Sequence, residues 1–120
     1  MGILLPTKEQ FKALMKMDME EPIVMVNLLK FKPDGGLESY QVYKEKFVKV
    51  MADKGVELIY SGDSQMTVIG HEEWDEVILA RYPSLKVFIE MNKDPEYLKI
   101  ANYRHDGIED SRLIMTRQSS

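Results

Sequence analysis

His71 and His105 are the only side chains in this 120-residue chain whose ordinary pKa suits proton transfer near neutrality. His105 stands in Arg104-His105-Asp106, where a helix is expected to end. It reads either as a general acid or base, or as an exposed histidine at the negative end of a helix dipole. His71 lies in the charged turn Gly70-His71-Glu72-Glu73 and reads as solvated. Asn27 is the most informative polar residue. It sits within Met25-Val26-Asn27-Leu28-Leu29, and an amide between apolar neighbours must find partners or cost on the order of 1–3 kcal/mol. A neighbouring backbone group answers that requirement as well as a ligand oxygen, which Asn27 would orient in a reaction. Tyr40, Tyr43 and Trp74 offer aromatic walls for a small molecule and Arg104 offers a cation; the tyrosines also read as core and the tryptophan as a packing anchor.

Other catalytic designs lack their residues. With no cysteine there is no thiolate nucleophile, no disulfide and no cysteine metal site. The two histidines never form His-x-x-x-His or His-Glu-x-x-His, so a zinc site would have to gather carboxylates from separate elements. Gly35-Gly36 lacks the lysine and hydroxyl residue of a phosphate loop, and no Gly-x-Ser-x-Gly elbow occurs. Neither a metal nor an organic cofactor is expected. Arg81 reads as the ion-pair partner of Glu57 or as an anion contact, and Arg112 has the same ambiguity beside Asp110. Lys44-Glu45-Lys46 and Glu72-Glu73 read as solvated charge.

Sixteen basic against twenty acidic residues give a net charge of −4, which attracts neither phosphate backbones nor anionic lipid. Nucleic acid and membrane are therefore not expected partners. No apolar run approaches the roughly 20 residues that span a bilayer, and the amino terminus lacks the pattern of a secretory signal. A cytoplasmic protein is the expectation.

Helical and strand patterns alternate along a single expected domain, residues 1–120. Thr7 to about Met17 forms a first helix, opened by a weak capping box between Thr7 and Gln10, with Phe11, Leu14 and Met15 on one face. Ile23 to Phe31 is apolar on both alternating faces, the mark of a central strand. After the turn Pro33-Asp34-Gly35-Gly36, a helix carrying Tyr40, Tyr43, Phe47, Val50 and Met51 runs from Leu37 to Asp53 or Lys54 and stops at Gly55. Val56 to Ile69 reads as extended, with a break or bulge at Ser61-Gly62-Asp63, and Trp74 to Tyr82 as a third strand. Ser84 caps a helix carrying Leu85, Val87, Phe88 and Met91. Asp94 and Pro95 open another, running towards Arg104, and Arg112 to Thr116 is the last strand.

Strand, helix, strand, strand, helix, strand, after one extra helix, is the order of a ferredoxin-like α+β fold with a four-stranded antiparallel sheet in the order 4-1-3-2. Its core spans about residues 23–116. Two helices cover only one face of that sheet. Because the first strand is apolar on both faces, a second copy is expected on the other, making a homodimer.

Met25-Val26-Asn27-Leu28-Leu29-Lys30-Phe31, Tyr40, Tyr43, Trp74-Asp75-Glu76-Val77, Tyr82-Pro83-Ser84, Asp94-Pro95-Glu96-Tyr97 and Asp110-Ser111-Arg112-Leu113-Ile114 follow one another in an order that resembles the bacterial family described as domain of unknown function 1330. The resemblance implies a dimeric α/β barrel and brings no catalytic residue with it. Its wider superfamily includes cofactor-free monooxygenases, isomerases and binding proteins. The leading expectation is a cofactor-free enzyme acting on an apolar or aromatic small molecule between sheet and helices. His105 would move a proton and Asn27 with Tyr40 or Tyr43 would hold an oxygen, beside Trp74 and Arg104. A binding or sensing module without catalysis, and an interaction protein with a purely packed core, are the alternatives.

Overall fold

The computed structural model describes residues 2–119. Its elements are α1 (Lys8–Leu14), β1 (Ile23–Phe31), α2 (Gly36–Met51) with a 3-10 turn at Ala52–Lys54, β2 (Glu57–Asp63), β3 (Glu76–Tyr82), α3 (Leu85–Met91), α4 (Pro95–Leu98), α5 (Ala101–Gly107) and β4 (Ile108–Thr116). The strands form one antiparallel sheet in the order β2-β3-β1-β4, the expected arrangement counted from the other edge.

β1 is central because it can be buried on both sides. Ile23, Met25 and Leu29 point towards the helices and are buried, together with Glu76, Ile78, Ala80 and Tyr82 of β3. Tyr40, Tyr43, Phe47 and Met51 of α2 meet them from above, joined by Leu85, Met91, Tyr97 and Ile100. Leu29, Met51, Ile78, Leu85 and Ile108 are fully enclosed, each contributing about 1.5–3 kcal/mol by leaving water. The other sheet face is different. Val26 and Leu28, with Val77 and Leu79 beside them, are only half-buried, and Tyr60 and Ile114 at its flanks are exposed. At one end of this face Arg81 bonds Glu57 at 3.3 Å across the β2–β3 pair.

Local chemistry accounts for most boundaries. Thr7 Oγ1 accepts from the Gln10 amide at 3.0 Å while the Gln10 side chain accepts from the Thr7 amide at 2.9 Å, so the capping box opens α1. α1 ends at Leu14 rather than near Met17. Leu14 packs on the core, while Phe11 and Met15 stay exposed. Gly35, at φ 78°, turns the chain into α2, and Gly55, at φ 75°, ends the turn that follows it.

Five features of the later elements depart from expectation. β2 stops at Asp63, because the Ser64 amide donates to Asp75 O at 2.9 Å and closes a loop over residues 64–75. The irregularity in β2 falls between Leu58 and Tyr60, not at residues 61–63. That loop leaves Trp74 outside β3, which begins at Glu76. The helix expected from Asp94 to Arg104 is two short ones, since Ile100 and Tyr103 bond three residues back, to Tyr97 O and Ile100 O, and tighten the backbone between them. β4 starts at Ile108, four residues before Arg112.

The amino terminus is tied to the sheet edge. The Ile3 amide donates to Asp110 Oδ1 at 2.8 Å, and Ile3 O accepts from the Ser111 amide at 3.0 Å. Among the described residues no helix is long and apolar enough to cross a membrane.

Candidate functional site

At the end of the sheet where β1 finishes, two glycines bring α2 and α5 into backbone contact. A Cβ on Gly36 would lie 2.6 Å from Gly107 O, and a Cβ on Gly107 would lie 2.6 Å from Gly36 O. Lys32, just past β1, donates its amide to the same Gly107 O at 2.9 Å. Strand end, helix start and helix end therefore meet at one point, which sets Tyr40, one turn into α2, close to Arg104 of α5.

Rings stack from there into the core. Phe31 and Tyr40 lie 5.4 Å apart between centroids, Tyr40 and Tyr43 5.3 Å, and Tyr43 and Phe47 5.7 Å. Tyr97 stands edge-on to Tyr43 and Phe47, and its hydroxyl is 2.9 Å from that of Tyr43. Burial pushes the Tyr40, Tyr43 and Tyr82 hydroxyls well above the ordinary tyrosine pKa, and the positive charge of Arg104 pulls each of them part of the way back. Arg104 is half-buried, and its side chain forms no ion pair or hydrogen bond among the described residues. An arginine so placed presents a planar fork of donors to any oxygen that reaches it.

The residues singled out from sequence fall into separate groups. Tyr40, Tyr43 and Arg104 come together. Asn27 lies on the helix-facing side of β1, half-buried, and its side-chain nitrogen donates to Ile78 O at 3.4 Å and Met25 O at 3.5 Å. Those bonds are long, and they go to the backbone of the sheet. Trp74 lies on the other side of the sheet, where the Arg112 guanidinium sits 5.1 Å from its ring centroid. Arg112 also bonds Asp110 and Glu72, each at 2.9 Å, so its charge is already answered. His105 is exposed on α5.

Lys44 is not the solvated charge its neighbours suggest, whereas Glu72 is exposed although paired with Arg112. Lys44 Nζ lies 2.6 Å from Glu76 Oε2 and 3.0 Å from Ser61 Oγ, and Ser61 donates to that same carboxylate oxygen at 2.9 Å. Glu76 is only 3% exposed. The signal for it was strand parity: Glu76, Ile78, Ala80 and Tyr82 share one face, and three of the four are core residues. Tyr97 was legible only as an apolar position, because its partner hydroxyl on Tyr43 lies 54 residues away.

Two open grooves lie elsewhere. One, of about 370 Å³, is walled by Lys54, Val87, Glu90, Met91 and Asp94, and the 3.0 Å Lys54–Asp94 ion pair crosses it. The other, of about 330 Å³, lies between α2 and α4–α5, with Lys46, Lys49, Lys99, Glu96 and Tyr103 among its lining.

The family model for the domain of unknown function (DUF1330) matches residues 36–117. The crystal structure of RPA0582, a protein of unknown function from Rhodopseudomonas palustris, is 35% identical, with a TM-score of 0.89 over 100% of this chain and 99% of that one. A dimeric protein of ferredoxin-like fold from Bacteroides fragilis superposes with a TM-score of 0.55 at 14% identity, over 84% of this chain and 100% of its own. A hydroxynitrile lyase from Passiflora edulis reaches 0.64 at 9% identity, over 84% and 97%. These last two share the fold. No curated protein matches. By a family model that spans most of its length and a relative alike from end to end, the chain belongs to the family described as domain of unknown function 1330.

Proposed function

We propose that the chain is a homodimer in which each subunit binds a small apolar or aromatic molecule bearing an acidic or carbonyl oxygen, held at Arg104 and Tyr40 between sheet and helices. The observation that carries this reading is Arg104, a half-buried cation beside buried hydroxyls without a counter-ion of its own among the described residues. A guanidinium partly removed from water gains most from an anionic oxygen, and the neighbouring rings suit an apolar body.

The same chemistry favours binding over proton transfer. A tyrosine hydroxyl pushed above its ordinary pKa stays protonated at neutral pH, so it donates a hydrogen bond and takes no proton. His105, the group suited to acid–base work, faces water. α4, which carries Tyr97, and α5, which carries Arg104, are too short to be stable as isolated helices and depend on their packing. The dimer rests on the half-covered face of the sheet, and the dimeric relative of the same fold supports it. A cytoplasmic setting fits the cysteine-free sequence.

Thermal shift and titration calorimetry with aromatic carboxylates, set against their neutral methyl esters, test the site. The acids should raise the melting temperature by mass action. Arg104→Gln should weaken their binding about tenfold or more at unchanged fold. Equal protection by acid and ester, together with full affinity in Arg104→Gln, would refute the assignment.

A further inference from the structure

The loop between β2 and β3 carries the molecule's most exposed group of large apolar side chains. Met66 is 71% exposed, Val68 80% and Ile69 93%. They are not at the end of a slack tether. The Ser64 amide bonds Asp75 O at 2.9 Å across the root, and Thr67 Oγ1 donates to Glu72 O across the middle. Gly70, at φ 116°, turns the tip. Asp75 clamps the root to β1: its amide donates to Leu29 O at 2.7 Å, and its carboxylate accepts from the Phe31 amide at 2.8 Å. On the returning limb, Glu72 bonds Arg112 and Trp74 lies against the same guanidinium. Arg112 stands opposite Leu28 on the open sheet face. The loop is therefore a braced arm fixed at the rim of that face.

We infer that this arm, residues 64–75, clasps a second copy of the chain, its Val68–Ile69 tip leaving water only against the partner. The inference rests on the homodimer proposed above and adds a contact that a sheet-on-sheet pairing alone does not require. Area favours it. Full burial removes about 60–120 Å² of apolar surface per side chain of this size from water, so the three residues add about 180–360 Å² for each arm. Two arms related by a two-fold axis supply between about a fifth and a half of the roughly 1,600 Å² of a standard interface. Charge points the same way. Around the open face Arg81 is paired with Glu57, and Arg112 with Glu72 and Asp110, a sum of −1 with no cluster of one sign to ask for a polyanion or a polycation. Glu72 and Glu73 follow the tip, and the chain carries −4 overall, which opposes docking on anionic lipid.

The full-length chain tests this by sedimentation velocity over a dilution series, comparing wild type, Val68→Ser/Ile69→Ser and the sheet-face variant Leu79→Lys. Because the sequence has no cysteine, Ile69→Cys gives a unique point for a maleimide–benzophenone cross-linker. The expected result is a wild-type dimer, weakened about a hundredfold or more by the tip variant at an unchanged melting temperature, with light producing a cross-linked dimer from position 69. Leu79→Lys should abolish the dimer and the cross-link together. A dimer of unchanged affinity in the tip variant, or only intramolecular cross-links, overturns the clasp while leaving the sheet-face dimer standing. A wild-type monomer at micromolar concentration overturns both. Sedimentation of the labelled arm with phosphatidylcholine–phosphatidylglycerol vesicles, in place of dimer cross-linking, overturns the clasp in favour of a lipid surface.

Discussion

Alanine at Gly107 probes the backbone contact that holds α5, and with it Arg104, against α2. Its Cβ would lie 2.6 Å from Gly36 O, 3.1 Å from Tyr40 N and 3.3 Å from Tyr40 Cβ. An ordinary carbon–oxygen contact is about 3.3 Å or more, so the overlap with the carbonyl is roughly 0.7 Å. Two of these three atoms are backbone and none is the end of a flexible side chain, so relief requires the two helices to move apart. Overpacking of this kind costs about 1–3 kcal/mol. Alanine regains at most about 1 kcal/mol in helix propensity over glycine, and less here because Gly107 is the last residue of α5. The net expectation is a loss of about 1–2 kcal/mol, or roughly 3–12 °C in melting temperature for a chain of this size. Urea denaturation and thermal melts measure it directly. Gly36→Ala injures the same approach from the other side, so the double variant should lose clearly less than the sum of the two single losses. A Gly107→Ala variant as stable as wild type, or a strictly additive double variant, would refute the reasoning. The carboxylate affinity proposed for Arg104 should fall with the same substitution.

Two further outcomes follow from polar contacts. Lys44→Met leaves the Glu76 carboxylate buried with Ser61 as its remaining partner; Lys44 itself is 26% exposed, so the usual cost of breaking a buried pair is discounted to about 1–3 kcal/mol in the urea midpoint. Adding Glu76→Gln should restore at least half of that loss, and equal losses in the single and double variants would exclude a charge effect. Asp110 titrates below the ordinary aspartate range, chiefly because the Ile3 amide bonds its carboxylate and then because Arg112 does. A folded pKa below the unfolded one means that the stability it lends is present above about pH 4 and lost as pH falls through the lowered value. The Ile3 and Ser111 amide resonances should accordingly shift with a midpoint below that of a free aspartate, and Asp110→Asn should flatten the titration; a midpoint at or above the ordinary value would discard the contact as its cause.

Strand order was legible because β1 declares itself: a nine-residue strand with seven apolar residues spread over both faces can only be central, and the crossovers then dictate the rest. Caps were legible for the same local reason, as at Thr7, Gly55 and Asp94. What misled were signals whose meaning depends on distant partners. Met66 and Val68 alternate with polar neighbours as a strand would, yet they stand on the projecting arm, since apolar spacing records a need for burial without naming what buries it. Glu109, Asp110 and Ser111 hid the first half of β4, because they are polar and two of them are engaged by Ile3 from the opposite end of the chain. No breaker residue marks the division between α4 and α5. Asn27 was rightly read as an amide needing partners, and backbone carbonyls supply them. The convergence of Trp74, Asn27 and His105 fails for a geometric reason: a sheet has two faces, and Trp74 reaches Arg112 on the face opposite the tyrosines.

The position of β1 also bears on how the chain folds while it is being made. β1 pairs with β3 on one side and with β4 on the other, Phe31 lying opposite Ile108. At roughly 5–20 residues per second, a ribosome takes about 4–16 s to deliver β4 after it has finished β1. Throughout that interval the most apolar strand of the sheet has a bare edge. Nascent chains of this protein thus carry an open edge for pairing with one another until nearly the whole sequence has emerged, a liability of synthesis that the finished sheet no longer has.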